Sequence, residues 1–168
     1  MVYLHRDELT TAQPCADLGS LNHFERAMPN YPDAVDASKV GDYPALAGAG
    51  GGYVWDEVLE YRVWCHPKDG SDYFYAYTSY EEARQAADSL RSTDESLAEV
   101  EPPLALILQR EYLDEHEAGA FVHIVEERLA EWPAEFLSRP KRTPHTIPDF
   151  LASDAPPNRL DILRGLAT

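Results

Sequence analysis

Residues 59–90 read LEYRVWCHPKDGSDYFYAYTSYEEARQAADSL, and this stretch decides the fold. Leu59–Cys65 is rich in Val, Tyr and Trp, side chains that suit a half-buried pleated strand. Pro67-Lys68-Asp69-Gly70-Ser71 follows. Asp-Gly between two apolar runs is a hairpin signal, because glycine takes a left-handed turn position without steric cost. Asp72–Thr78 is then the return strand. Side chains alternate along a strand, so Tyr73, Tyr75 and Tyr77 share one face, and Phe74 and Ala76 take the other. Ser79, with Glu82 three residues on, has the spacing of a capping box. Ala83, Ala86, Ala87 and Leu90 then recur at helical spacing, a stripe small enough to lie close on a sheet. Arg84 and Asp88 stand one turn apart, a pairing worth about 0.3–0.5 kcal/mol.

Working outward, residues 92–103 (STDESLAEVEPP) read as a polar, acidic connection. Leu104–Leu108 is a continuous apolar run, which fits a central strand covered on both faces and continuing toward Tyr112. Asp114–Gly119 turns the chain and Ala120–Val125 returns as a strand. Glu126–Trp132 can extend that strand or become helical. Pro133-Ala134-Glu135-Phe136-Leu137 reads as a short helix with proline at its start. The order strand, strand, helix, strand, strand predicts an α+β fold: a small antiparallel or mixed sheet with a helix on one face.

Upstream, residues 1–50 read as an irregular arm, with prolines at 14, 29, 32 and 44 and a short helix around Leu18–Ala27. The run Ala47-Gly48-Ala49-Gly50-Gly51-Gly52 marks a joint or a close backbone approach. It lacks the flanking strand, spacing and Lys-Ser/Thr of a phosphate loop. Residues 51–137 form the expected α+β core. Residues 138–168 are a Pro-rich, basic tail, with short helices opening at Thr146 and Asn158. Ile147, Phe150, Leu151, Leu160, Ile162, Leu163 and Leu166 are too many apolar residues for a free tail, which is expected to dock on the core or on a second subunit.

The 168 residues carry 14 Lys+Arg against 30 Asp+Glu, a net charge of -16. Such a surface disfavours nucleic acid, whose binders need basic patches. No apolar run reaches the roughly 18–20 residues of a membrane span, and MVYLHRDELTT has no apolar signal core. Cys15 and Cys65 are too few for a disulfide scaffold, which points to a reducing, cytoplasmic setting. The charge is uneven. Residues 59–137 hold eighteen acids and six bases, whereas residues 138–168 hold three acids and five bases. A protein partner, or a second copy of the chain, is compatible with this distribution.

Candidate chemistry is sparse. Cys65 and His66 are strand neighbours that point to opposite faces, so they form no dyad. Asp114-Glu115-His116-Glu117 and His123 are hard ligands without a metal-site spacing, and no metal is expected. The densest feature is aromatic. Tyr73, Tyr75 and Tyr77, with Trp64, are the candidate binding residues, offering flat area and hydroxyls to a small ligand or a protein.

Gly50–Pro67 (GGGYVWDEVLEYRVWCHP), Asp72–Tyr77 (DYFYAY), Leu108–Tyr112 (LQREY) and Arg159–Leu166 (RLDILRGL) are together similar to a family of small bacterial proteins often grouped with the GNAT N-acetyltransferases. The resemblance covers the chain from about residue 48 onward. It implies an acetyltransferase-like activity with acetyl-CoA as cofactor; the residues alone indicate no cofactor. GNAT enzymes hold the acetyl-CoA pyrophosphate on an Arg/Gln-x-x-Gly-x-Gly/Ala loop between a strand and a helix. The corresponding turn here, Ala76–Glu82, has no glycine and places Glu81 and Glu82 at the helix start. No catalytic residue carries over.

Overall fold

The computed structural model describes residues 30–46 and 50–167. Strands β1 (Glu57–Pro67) and β2 (Tyr73–Tyr77) form the hairpin that the sequence predicts, with Tyr61 opposite Tyr77 and Cys65 opposite Tyr73. Gly70 sits in its turn at φ +83°. Helix α1 (Tyr80–Thr93) starts at Ser79 with both bonds of the capping box made. Its Ala83 and Ala87 are fully buried against the sheet.

On the other edge of β1 lie two collinear strands, β3 (Leu97–Val100) and β4 (Leu104–Gln109). Pro102 and Pro103 separate them, because proline has no N–H to give to a ladder. Residues 92–103 therefore hold a strand where the sequence reads as a plain connection. Their acids lie on an exposed part of the sheet and conceal the pairing. Strand β4 ends at Gln109 rather than running on to Tyr112. Strands β5 (Tyr112–Glu117) and β6 (Ala120–Ile124) form a separate hairpin. Residues 126–132 resolve to a strand, β7 (Arg128–Pro133), which pairs with β4. The main path is β2-β1-β4-β7, with β3 beside β1 and every pairing antiparallel. A 3-10 turn, Ala134–Ser138, and two short helices, α2 (Thr146–Leu151) and α3 (Arg159–Leu163), complete an α+β fold. The helix expected around Leu18–Ala27 lies outside the described residues.

Two apolar cores result. The larger sits between α1 and the sheet, where Trp55, Val58, Tyr61, Val63 and Cys65 meet Ala83, Ala87, Ile107 and Trp132. A register shift at Leu59 puts Val58 and Tyr61 on this same face. The smaller core joins the β5–β6 hairpin to the tail: Val54, Tyr112 and Leu113 pack on Ile147 and Phe150.

The opposite face of β1 is covered by residues 30–46. Tyr31 stacks edge-on to Tyr80 on the helix side, and the Val35 N–H donates to Val58. The Gly41 N–H then donates to Glu60, and the Tyr43 and Pro44 carbonyls accept from Arg62. No helix among the described residues is long and apolar enough to cross a membrane.

Candidate functional site

The tyrosines of β2 and Trp64 do not converge. Tyr73, Tyr75 and Tyr77 face the same side as Val63 and Cys65, and Tyr73 and Tyr77 pack into the rim of the larger core. Burial pushes the Tyr77 hydroxyl above its usual range. Only Tyr75 is open, at 46% exposure. Trp64 turns to the other face, where it stacks on Phe74 and donates to Glu131 at 3.3 Å. Cys65 is fully buried, and burial raises its thiol pKa, the wrong direction for a nucleophile. His66 lies 3.0 Å from Glu101 and 3.1 Å from Asp72, whose hydrogen bonds raise its pKa. His123 lies 2.6 Å from Glu111. Among the described residues, no three His, Cys, Asp or Glu side chains gather as a metal site would need.

The start of α1, where the resemblance would place a pyrophosphate, already holds an anion. The Glu82 carboxylate accepts from the Thr78 hydroxyl at 2.6 Å and from the Ser79 N–H at 3.3 Å.

A different site emerges where the glycine run, the free edge of β7 and the tail meet. Here a groove of about 730 Å³ is lined by Gly50–Tyr53, Glu131, Trp132, Phe136, Arg139 and Arg164, among others. Arg139 lies over the Phe136 ring at 4.4 Å and near Trp132 at 5.8 Å. Arg164 lies over Tyr53 at 5.4 Å and donates to its hydroxyl at 3.3 Å. That hydroxyl donates in turn to Glu115 at 2.6 Å. The Arg139 guanidinium has neither a hydrogen bond nor an ion pair among the described residues. Its pKa is lowered, first by burial and then by the charge of Arg164. Stacking on rings leaves a guanidinium's in-plane N–H groups free for an incoming acceptor.

The glycine wall is built from below. Gln109 is fully buried; its amide donates to the Val54 carbonyl at 2.7 Å and its oxygen accepts from Arg128 at 2.8 Å. Arg128 stacks on Tyr112 at 3.6 Å. Gly52 lies directly over this stack at φ +68°, where a Cβ would stand 2.5 Å from an Arg128 nitrogen and 3.0 Å from the Tyr112 ring. Val54 also takes a positive φ of 77°, which a β-branched residue adopts only under constraint. Gly52→Ala is therefore expected to cost about 2 kcal/mol from overpacking and backbone strain. Gly50→Ala meets none of the described residues within 4 Å, and is expected to stay within about 0.5 kcal/mol of the parent. Urea unfolding of the two variants side by side checks the contrast.

Sequence reasoning missed this groove. Arg139 belongs to the basic patch, and Arg164 lies 25 positions further on. The available signal was the reversal of charge in the tail of an otherwise acidic chain. Comparisons with protein-family models, curated proteins and solved structures find no match.

Proposed function

We propose that this chain is a binding module that holds a small anion, a carboxylate or a phosphate, between Arg139 and Arg164. The observation that carries the reading is the unpaired Arg139 guanidinium. Acids outnumber bases by 30 to 14 in the sequence, and Glu115, Glu131 and Glu135 line the same groove. Yet no carboxylate among the described residues pairs with Arg139. Two neighbouring cations repel, and an anion from outside relieves that repulsion with charge-assisted hydrogen bonds. Tyr53, Trp132 and Phe136 give the same ligand apolar surface.

The test is an NMR titration reading the Arg139 and Arg164 Nε–H resonances. Its probes are sodium benzoate, phenyl phosphate and acetyl-CoA, the last because the family resemblance implies it. The expected result is a saturable shift with at least one of the three, weakened about tenfold or more by Arg139→Gln, or about 1.4 kcal/mol. Benzoate against phenyl phosphate tells the two anion classes apart. Saturable binding of acetyl-CoA that Arg139→Gln leaves intact would favour the acetyltransferase-like reading instead. The absence of any saturable shift would overturn the proposal.

A further inference from the structure

We infer that the anion is the terminal carboxylate of an extended peptide, whose backbone adds to the outer edge of β7; this rests on the anion-binding reading of the groove. Among the described residues, strand β7 pairs with β4 on one side only. Among the described residues, no backbone group bonds to its other edge. The direction of its free groups follows from alternation. The Leu108 carbonyl accepts from Asp56 beside β1, so Leu104, Leu106 and Leu108 turn their backbone groups toward β1. Ala105, Ile107 and Gln109 then serve β7, where their partners are Trp132, Ala130 and Arg128. Glu131 is left with its N–H and C=O pointing outward, and Pro133 with its C=O. Both residues line the groove.

The facing wall is also backbone. Gly50 needs glycine neither for a positive φ nor for packing among the described residues, since an added Cβ would meet none of them within 4 Å. What glycine supplies there is bare main chain that a ligand can approach closely. A free sheet edge facing bare main chain suits a strand-like ligand, whose affinity comes from main-chain hydrogen bonds. Pro133 has no N–H to offer, so the ladder stops beside the 3-10 turn that leads to Arg139. A carboxylate is the group that ends a peptide ladder and satisfies a guanidinium.

The groove also carries Asp114 and Glu135, and neither carboxylate has a side-chain hydrogen bond or ion pair among the described residues. They favour basic side chains on the same peptide. The occupant is therefore an extended, basic peptide ending in a free carboxylate. A single free amino acid would leave most of the groove's 730 Å³ unused.

The probe is N-acetyl-Val-Lys-Val-Lys, as the free acid and as the C-terminal amide, titrated beside benzoate and read at the Arg139 Nε–H. A third peptide, the free acid with its central amides N-methylated, removes ladder donors. The amide carries one more positive charge, so general attraction to a chain of net charge -16 favours it. The expected result runs the other way. The acid binds about tenfold or more tighter than the amide, and N-methylation costs at least about threefold. If benzoate saturates Arg139 while acid and amide bind alike, or N-methylation changes nothing, the peptide inference is overturned and the anion site stands. If phenyl phosphate moves Arg139 while benzoate and the acid do not, the peptide inference falls and the anion site stands; if none of the three moves it, both fall together.

Discussion

Replacing Arg62 with methionine is expected to lower the unfolding free energy by about 3–5 kcal/mol, the cost of stranding buried charges. Arg62 is completely buried, as is Glu60. Its Nε donates to Glu60 at 2.7 Å and its Nη1 to Glu131 at 2.5 Å. Its remaining nitrogen reaches the carbonyls of Tyr43 and Pro44 at 3.3 and 2.9 Å. The guanidinium also lies over Phe74 at 4.3 Å. Without it, two carboxylates face each other across β1 and β7 with their cation gone, and residues 30–46 lose an anchor. Lysine cannot substitute, because an ammonium lacks the planar fork that serves two carboxylates at once. At about 2–4 °C per kcal/mol for a chain of this size, the melting temperature should fall by about 6–20 °C. The triple variant Glu60→Met, Arg62→Met, Glu131→Leu should recover more than half of the loss, since it removes the stranded charges along with their partner. A thermal melt of both checks this. An Arg62→Met protein melting within about 2 °C of the parent would contradict the burial of the network.

The second large effect is expected at Asp56, and it should be local. This carboxylate is buried. One oxygen accepts from Arg142 Nε and Nη2 at 3.0 and 2.5 Å, and the other accepts the Arg110 N–H at 2.7 Å. Arg142 also pairs with Glu111, and its own N–H donates to the Trp55 carbonyl. Asp56→Ala leaves the Arg110 N–H and half of the Arg142 guanidinium without partners. The expected cost is about 3 kcal/mol. Because Arg142 is the polar tie between the tail and the sheet, amide exchange in α2 and α3 should accelerate well before exchange in β1 and β4. Uniform acceleration across the chain would show that Asp56 serves the whole fold rather than the docking of the tail.

These two residues also show what could be read from sequence and what could not. The β1–β2 hairpin and the capped helix were legible because their signals are local: Asp69-Gly70 in the turn, Ser79 with Glu82 at the cap, and alanines at helical spacing. The burial of Glu60 and Arg62 was not. They alternate with Tyr61 and Val63 as solvent-facing residues of a one-sided strand would, and residues 30–46, distant in sequence, help make their face an interior. Strand β3 was hidden by its acids, and β7 by a stretch compatible with two secondary structures.

For the candidate site, the tyrosine alternation was read correctly, with Tyr73, Tyr75 and Tyr77 on one face, but burial under α1 closes most of that face. The groove needed knowledge of long-range contacts. Tyr53 meets Arg164 across 111 positions, and Trp132 donates to Gly51 across 81. The glycine run was legible as a joint or a close backbone approach; that Gly52 lies against the Arg128–Tyr112 stack was not.

On the proposed function, Arg139, which has no ion-pair partner among the described residues, awaits an anion. The most direct measurement is the Arg139 Nε–H resonance during titration with benzoate and with phenyl phosphate, in the parent chain and in Arg139→Gln, with Arg164 as the second reporter. The groove reading expects both arginines to shift to saturation in the parent. It expects the Arg164 shift to weaken about tenfold or more in the variant, and the variant to melt within about 2 °C of the parent, because Arg139 anchors no ion pair among the described residues. An Arg139 resonance that neither anion moves, or an Arg164 shift unchanged by Arg139→Gln, would contradict it.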